Sequence, residues 1–377
     1  MNNNVWEAYI HIPFCARKCN YCDFLSFPAK EEVQEAYVQA LKKEFAARAA
    51  RRENAFLRSV FIGGGTPSIL QSGKILEMMK SFFQYYQVEK DAEITIEANP
   101  CTLNLQKLEE YRQAGINRIS IGCQSTKDEQ LKKLGRLHTS EEFFRAVENA
   151  KRAGFSNINA DLIFGLPGQT KEQWRDTLKE AAGLSLQHIS AYSLIIEEGT
   201  PFYEQEKFLA LPDEDTLADM YEDTASILRE FHMERYEISN YALPGFESLH
   251  NSGYWTGVSY SGFGLGASSY EGNMRFKNTE LLREYLENAQ NPSKIRQQEQ
   301  KLSRQEEYAE FMILGLRMTK GVSQKKFEER FQKKLFEVYG PVLQKHMSYG
   351  GLILEGDRVR IPEKYLFVSN GILTDFI

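Results

Sequence analysis

Six short β-rich runs, each followed by a segment of helical periodicity, fill the first two-thirds of this chain. That alternation limits the possible folds more than any other feature. The runs lie at residues 6–12, 59–62, 93–97, 118–122, 158–164 and 188–194. Between them, apolar residues recur three or four apart: Val33, Tyr37, Leu41 and Phe45; then Ile75, Met79, Phe82 and Tyr86; later Leu217, Tyr221, Thr224 and Leu228. Each set forms one apolar stripe that must face a sheet. Successive β/α units predict a parallel sheet wrapped by helices. Right-handed crossovers curl such a sheet into a barrel. Six units rather than eight predict an α/β fold with a partial, open (β/α)6 barrel; a doubly wound sheet is the competing arrangement.

The remainder reads differently. Residues 235–270 are irregular and rich in Gly, Ser and Tyr, a helix is expected near 279–290, and Asn291-Pro292 breaks it. The polar stretch 293–301 predicts a linker. Helical patterns near 304–318, 323–331 and 335–346 precede a hairpin of 351–354 and 358–361 around Glu355-Gly356-Asp357. This gives three units: a barrel over 1–240, an irregular region with a linker over 241–300, and a small helical, winged-helix-like domain over 301–377. Winged helices often bind DNA. Here the net charge is −6 and the C-terminal domain is nearly balanced, so nucleic acid is not an expected partner. No run of 18 apolar residues could span a membrane. Residues 1–9 lack the blocks of a signal peptide, so the chain is expected in the cytoplasm.

Three of five cysteines fall within eight positions: Cys15, Cys19 and Cys22, spaced C-x3-C-x2-C on a loop just after the first strand. In a reducing compartment such clustering points to metal. A loop of this kind can wrap a compact cluster. Four cysteines would fill every iron of a cubane, whereas three leave one iron open. A structural zinc site needs a fourth ligand and favours paired C-x2-C spacing; His11 could supply it only by leaving its strand. Cys101 and Cys123 read as small packed residues.

Other motifs fall at the C-terminal ends of the predicted strands, the face on which barrel sites assemble. Gly63-Gly64-Gly65-Thr66-Pro67 follows the second run; its glycines allow close backbone approach to a ligand. Glu97-Ala98-Asn99-Pro100 follows the third, with a carboxylate suited to an ammonium or ribose. Ser120-Ile121-Gly122-Cys123-Gln124-Ser125 closes the fourth, and Arg136 lies beyond it. Asp161, among apolar neighbours in the fifth, would be costly unpaired, and either Arg136 or a ligand would relieve it.

The cysteine motif resembles that of the radical S-adenosylmethionine superfamily. In that family a [4Fe–4S] cluster holds S-adenosylmethionine through its open iron and cleaves it with one electron. Taken in order, from about Tyr9 to Trp255, the motifs resemble the oxygen-independent coproporphyrinogen III oxidases and their haem-chaperone branch. The likeness implies that Cys15, Cys19 and Cys22 hold the cluster. It also implies that Tyr9, Tyr21, Gly64, Gly65, Thr66, Glu97, Gln124, Arg136 and Asp161 line the cofactor site.

Two features separate the branches. Decarboxylating oxidases carry a further cysteine two positions after the third cluster cysteine, where this chain has Phe24. The chaperone branch carries His-Asn-x-x-Tyr-Trp, matched by His250-Asn251-Ser252-Gly253-Tyr254-Trp255. An imidazole can ligate haem iron and the aromatics could pack on the macrocycle, so His250 is a candidate haem ligand; a structural histidine in an aromatic loop is the alternative. The expected function is a haem chaperone. Its expected partners are haem, a haem-accepting apoprotein such as a respiratory cytochrome, and an electron donor. Because cytochromes are membrane-bound, transient membrane contact is compatible with this reading. The competing function is radical decarboxylation of coproporphyrinogen III to protoporphyrinogen IX.

Overall fold

The computed structural model describes residues 5–49 and 56–377; residues 1–4, part of the stretch read for a leader, lie outside them. Strands β1 (Val5–Ile12), β2 (Phe56–Gly64), β3 (Gln87–Ala98), β4 (Arg118–Gln124), β5 (Ile158–Phe164) and β6 (His188–Ser193) pair in parallel and in sequence order. Helices α1 (Glu31–Ala49), α2 (Lys74–Phe83), α3 (Leu105–Gln113), α4 (Asp128–Lys133), α5 (Ser140–Arg152) and α6 (Lys171–Ala182) fall between them. This is the expected α/β fold with an open, partial barrel. Among the described residues the sheet does not close on itself.

Parallel strands covered on both faces usually read as unbroken apolar runs. These strands alternate instead. One face presents Ala8, Ile10 and Ile12, Val60 and Ile62, Ile94 and Ile96, Ile119 and Ile121, Ala160 and Leu162, then Ile189 and Ala191, all buried in the main core. The stripes of α1, α2 and α6 pack there through residues such as Tyr37, Leu41, Met79, Phe82, Trp174 and Leu178. Each large side chain so buried contributes about 1.5–3 kcal/mol. Because successive side chains point to opposite faces, the intervening residues line the other face. They fall in register across the sheet: Glu7 beside Ser59 beside Glu93, Glu97 beside Ser120 beside Asn159, and Asn159 beside His188. The inside of the half-barrel is therefore polar.

The chain then extends the sheet at both edges. After α7 (Pro201–Glu204), α8 (Glu214–Glu230) and β7 (Glu234–Arg235), β8 (Asn240–Ala242) pairs antiparallel with β6, and β7 pairs antiparallel with β8 on its outer side. Helix α9 (Leu249–Thr256) crosses to the other side, where β9 (Tyr260–Phe263) runs parallel to β1. Strands β10 (Ser268–Glu271) and β11 (Met274–Asn278) follow, then α10 (Leu282–Asn288) and α11 (Pro292–Ile295), and β12 (Arg296–Lys301) pairs with β11. The stretch 293–301, expected as a linker, is thus a short helix and an edge strand. It reads as polar because β12 is almost wholly exposed and is held by main-chain bonds on one side. Glu44 of α1, fully buried, pins this region to the barrel. It accepts from Arg48 (3.1 Å), Asn278 (2.9 Å), Tyr285 (2.7 Å) and the Gly264 amide (2.9 Å).

Beyond it, α12 (Arg304–Gly315), β13 (Val322–Ser323), α13 (Gln324–Phe331), α14 (Leu335–Ser348), β14 (Ile353–Glu355) and β15 (Arg358–Arg360) form helices with a separate small sheet in the order β13-β15-β14. No helix among the described residues is long and apolar enough to cross a membrane.

The segment 249–256 is a helix rather than the aromatic loop considered above, and it plugs the end of the barrel at the starts of β1, β2 and β3. Glu93 accepts from the amides of Leu249 (2.9 Å) and His250 (3.1 Å) and from the Ser248 hydroxyl (3.2 Å), satisfying donors of the first turn. Arg58 joins Glu7 (2.7 Å) to the Leu249 carbonyl (3.1 Å). A Cβ on Gly253 would lie 2.0 Å from the Glu7 carboxylate, so only glycine lets the helix pass this close. His250 is 1% exposed, stacks on Phe61 with centroids 5.1 Å apart, and bonds Ser59 (2.8 Å) and Tyr254 (2.9 Å) through its two ring nitrogens. His250→Ala is expected to lower stability by about 2–4 kcal/mol through the void and the stranded hydroxyls. Denaturant unfolding measures this; a loss below about 0.5 kcal/mol would show that the ring does not hold the plug.

Candidate functional site

At the opposite end, where β1–β6 terminate, a cavity of about 510 Å³ opens. Cys15, Cys19 and Cys22 lie on its wall, with Tyr21, Gly64, Gly65, Thr66, Glu97, Gln124, Arg136 and Asp161. The cysteine loop is strapped in place by backbone geometry. The Cys15 amide donates to Phe27 (3.2 Å) and the Phe27 amide to Pro13 (2.9 Å). Asn20 donates from its amide to Leu134 (3.0 Å) and from its side chain to Lys133 (2.8 Å), while Arg17 reaches the Gly135 carbonyl (2.7 Å). The turn after α4 therefore sets where the thiols stand. Burial raises the acidities' midpoints for the Cys15 and Cys22 thiols, so metal must displace their protons. Three cysteines on one cavity wall suit an iron–sulfur cubane that keeps one iron open to a ligand.

Gly64 is the hinge of the next wall. Its φ of +120° and the 2.7 Å from a would-be Cβ to the His11 ring exclude other residues. Its amide donates to the Glu97 carboxylate (3.0 Å). Burial, with the nearby Asp161 charge, pushes the Glu97 carboxyl up to about 8 despite that bond. Asp161 accepts from Ser120 (2.7 Å) and Asn159 (2.9 Å), and burial raises it too. The hydrogen-bond partners of both carboxylates are neutral. Two half-buried acids facing one cavity suit a ligand carrying positive charge and hydroxyls.

Arg136 is not the partner of Asp161 that the sequence suggested. Its guanidinium donates to the Gly122 carbonyl (2.8 Å), approaches the Cys19 sulfur (3.8 Å) and meets His138 Nδ1 (3.4 Å). Asp161 is instead satisfied along its own strand. His138 Nε2 donates to the Cys123 carbonyl (3.1 Å), which leaves Nδ1 free to accept from Arg136. Burial and the Arg136 charge lower the imidazole to about 3, keeping it neutral. Strand β4 bulges between Gly122 and Gln124. The bulge turns Gln124 into the cavity with a strained φ of +66° and sends Cys123 into the core. Cys123 is packed as expected. Cys101 is not: it sits exposed on the turn after β3, on the cavity wall.

Two predicted residues stand elsewhere. Tyr9 is absent from the cavity wall; its hydroxyl bonds His11 Nδ1 (3.0 Å) and its ring lies against Phe61. His250 belongs to the plug at the far end and has no ring nitrogen left for an iron. Its assignment as haem ligand is therefore corrected, because the motif is a helix turned into the barrel. Sequence reasoning missed Asn20, His138 and Tyr192, which hold the loop, orient Arg136 and line the cavity.

A half-barrel with three thiols and two half-buried carboxylates on one cavity wall defines a radical S-adenosylmethionine protein. Residues 9–181 match the Radical SAM superfamily, and residues 302–367 match the HemN C-terminal domain. The chain is 37% identical over 373 residues to Heme chaperone HemW of Lactococcus lactis, covering 98% of this chain and 97% of that protein. It is 40% identical over 278 residues to Heme chaperone HemW of Escherichia coli, covering 74% and 72%. The chain belongs to the HemW family. The solved coproporphyrinogen III oxidase HemN of Escherichia coli shares its fold, with a TM-score of 0.86 at 24% identity over 98% of this chain and 89% of that one. The cofactors of the superfamily are a [4Fe–4S] cluster and S-adenosylmethionine.

Glu97 gives the site a pH signature. Its folded pKa of about 8 lies above the ordinary glutamate value of 4.5. Between these values the folded state keeps a proton that the unfolded chain releases, so this group's contribution to stability falls as pH rises. Glu97→Gln removes that loss. Its stability relative to wild type should climb from pH 5.5 to 8 by up to about 1.4 kcal/mol per unit, read by denaturant unfolding without added ligand; a flat difference would contradict the raised pKa.

Proposed function

We propose that this chain is a haem chaperone: it binds haem and delivers it to a haem-requiring apoprotein such as a respiratory cytochrome. The observation that carries this reading is its near full-length likeness to proteins named Heme chaperone HemW. Phe24 supports it. The side chain is 64% exposed on the wall of a cavity that Leu137 and Ile195, also exposed, help to line, where the oxidase likeness expects a cysteine. Those three side chains give the cavity apolar surface suited to a flat macrocycle.

In this reading Cys15, Cys19 and Cys22 hold the [4Fe–4S] cluster. Gly64, Gly65 and Thr66 offer backbone to S-adenosylmethionine, and Glu97, Gln124, Arg136 and Asp161 complete its cradle. When bound and reduced by an electron donor, the cluster supplies one electron to the cofactor's sulfonium. The chain's own part is to orient and to exclude water. Arg136 places positive charge beside the Cys19 sulfur, which offsets the charge of a thiolate there. Glu97 and Asp161 bind the cofactor's cationic and hydroxyl groups.

Cys19→Ala should abolish iron and sulfide retention after anaerobic reconstitution while the far-ultraviolet spectrum stays native; full retention would remove Cys19 from the ligand set. Haem offered to reconstituted wild-type protein should be taken up at about one per chain, with coproporphyrinogen III left unchanged when it is supplied instead. Formation of protoporphyrinogen would replace the chaperone reading with the oxidase one.

A further inference from the structure

Asp161 is held by a chain of hydrogen bonds that begins in the first turn of the plug helix, and every member of that chain has a forced direction. Asn159 donates from Nδ2 to Asp161 Oδ1 (2.9 Å) and to Ser120 Oγ (2.7 Å), and Ser120 donates to Asp161 Oδ2 (2.7 Å). The Asn159 carbonyl oxygen must then accept, and it does so from His188 Nδ1 at 2.6 Å. With the proton on Nδ1, His188 Nε2 accepts from the Tyr236 hydroxyl at 2.8 Å. Tyr236 in turn accepts from the Ser248 amide at 3.2 Å, and Ser248 caps α9. Asn159, His188, Tyr236 and Ser248 are all buried, at 5% exposure or less.

His188 is completely buried and lies on the polar face of β6, in register with Asn159. Burial, with the charge of Arg118, lowers its pKa well below the usual value, so the imidazole is neutral and keeps one tautomer. An apolar residue of similar size would satisfy packing at this position as well. What a histidine adds is one donor and one acceptor on opposite sides of a rigid ring. That is the requirement for passing a fixed hydrogen-bond direction from Tyr236 to Asn159.

We infer that His188 is a positioning residue for the cofactor site. Through Asn159 it fixes the orientation of the Asp161 carboxylate, and so it couples the His-Asn-x-x-Tyr-Trp helix at one end of the barrel to the S-adenosylmethionine cavity at the other. The inference rests on the reading of Asp161 as a cofactor ligand. His188 itself is absent from the cavity wall, so its effect on the ligand is indirect.

The test uses the anaerobically reconstituted full chain and equilibrium dialysis with S-adenosylmethionine, alongside iron and sulfide content and the electron paramagnetic resonance spectrum of the reduced cluster without cofactor. His188→Leu should raise Kd about tenfold, as loss of an orienting partner commonly does, with cluster content and the cofactor-free spectrum unchanged. His188→Gln, which restores a donor and an acceptor, should stay within about threefold of wild type. Tyr236→Phe, which removes the donor to Nε2, should raise Kd about threefold and decides the matter if His188→Leu does not fold. Asp161→Asn serves as the reference. Weak binding by Asp161→Asn with wild-type affinity in His188→Leu, or in Tyr236→Phe where that variant decides, overturns the inference alone. Equal weakening by His188→Leu and His188→Gln also overturns it, because packing would then be the cause. Wild-type affinity in Asp161→Asn overturns the reading of Asp161 and the inference with it.

Discussion

The alternation of apolar and polar side chains along six parallel strands is the constraint on which the rest of this structure depends. It gives the sheet one face that can bury helices and one that cannot be left dry without partners. The inner face resolves that demand by hydrogen bonding within itself. Glu93 caps a helix, Asn159 joins Ser120 to Asp161, and His188 links Asn159 to Tyr236. Arg118 stands 4.0 Å from Glu93 with its Nε unsatisfied. Such a network fixes one arrangement of the barrel interior, since a single broken link strands a buried group.

The two ends of the barrel use this lining differently. At the starts of the strands, α9 closes it with Glu7, Arg58, Ser59 and His250 bonded to one another or to the helix. At the strand ends the lining is left open, and the acids there have only neutral hydrogen-bond partners. Burial raises the pKa values of Glu97 and Asp161, and the charge of Arg118 offsets this only in part. On the proposed reading, a cofactor with a cationic centre would supply the partner these acids lack. The backbone strain at Gly64 and Gln124 falls at the same end, where positive φ values bring backbone and side chain into the cavity.

Much of this was legible in the sequence. The six strands stand where their β-rich runs placed them, because strand patterns bounded by Gly, Pro and helical stripes are locally encoded. The cysteine spacing and Gly63-Gly64-Gly65 marked the cavity for the same reason: both are local features. The misplaced elements depend on distant contacts. Residues 293–301 read as a linker because most of that stretch is an edge strand held by β11, which needs no apolar residues of its own. Arg136 was matched to Asp161 on charge alone, but Gly122, His138 and Cys19 hold it. His250 suggested a haem ligand because an exposed imidazole and a plugged one look alike in sequence. One overlooked signal was available: Glu7, Tyr9 and His11, or His188, Ser190 and Tyr192, alternate with aliphatic residues and announce a polar interior.

Three thiols and two half-buried acids share one cavity, in which, on the proposed reading, an iron–sulfur cluster would meet a sulfonium cofactor. Electron paramagnetic resonance of the reconstituted, reduced chain tests it most directly, recorded with and without S-adenosylmethionine. A [4Fe–4S] signal whose g-values shift on adding the cofactor is the predicted result, since an iron without a protein thiolate changes its ligands. A cluster signal indifferent to the cofactor, or a preparation that holds zinc in place of iron, would contradict it.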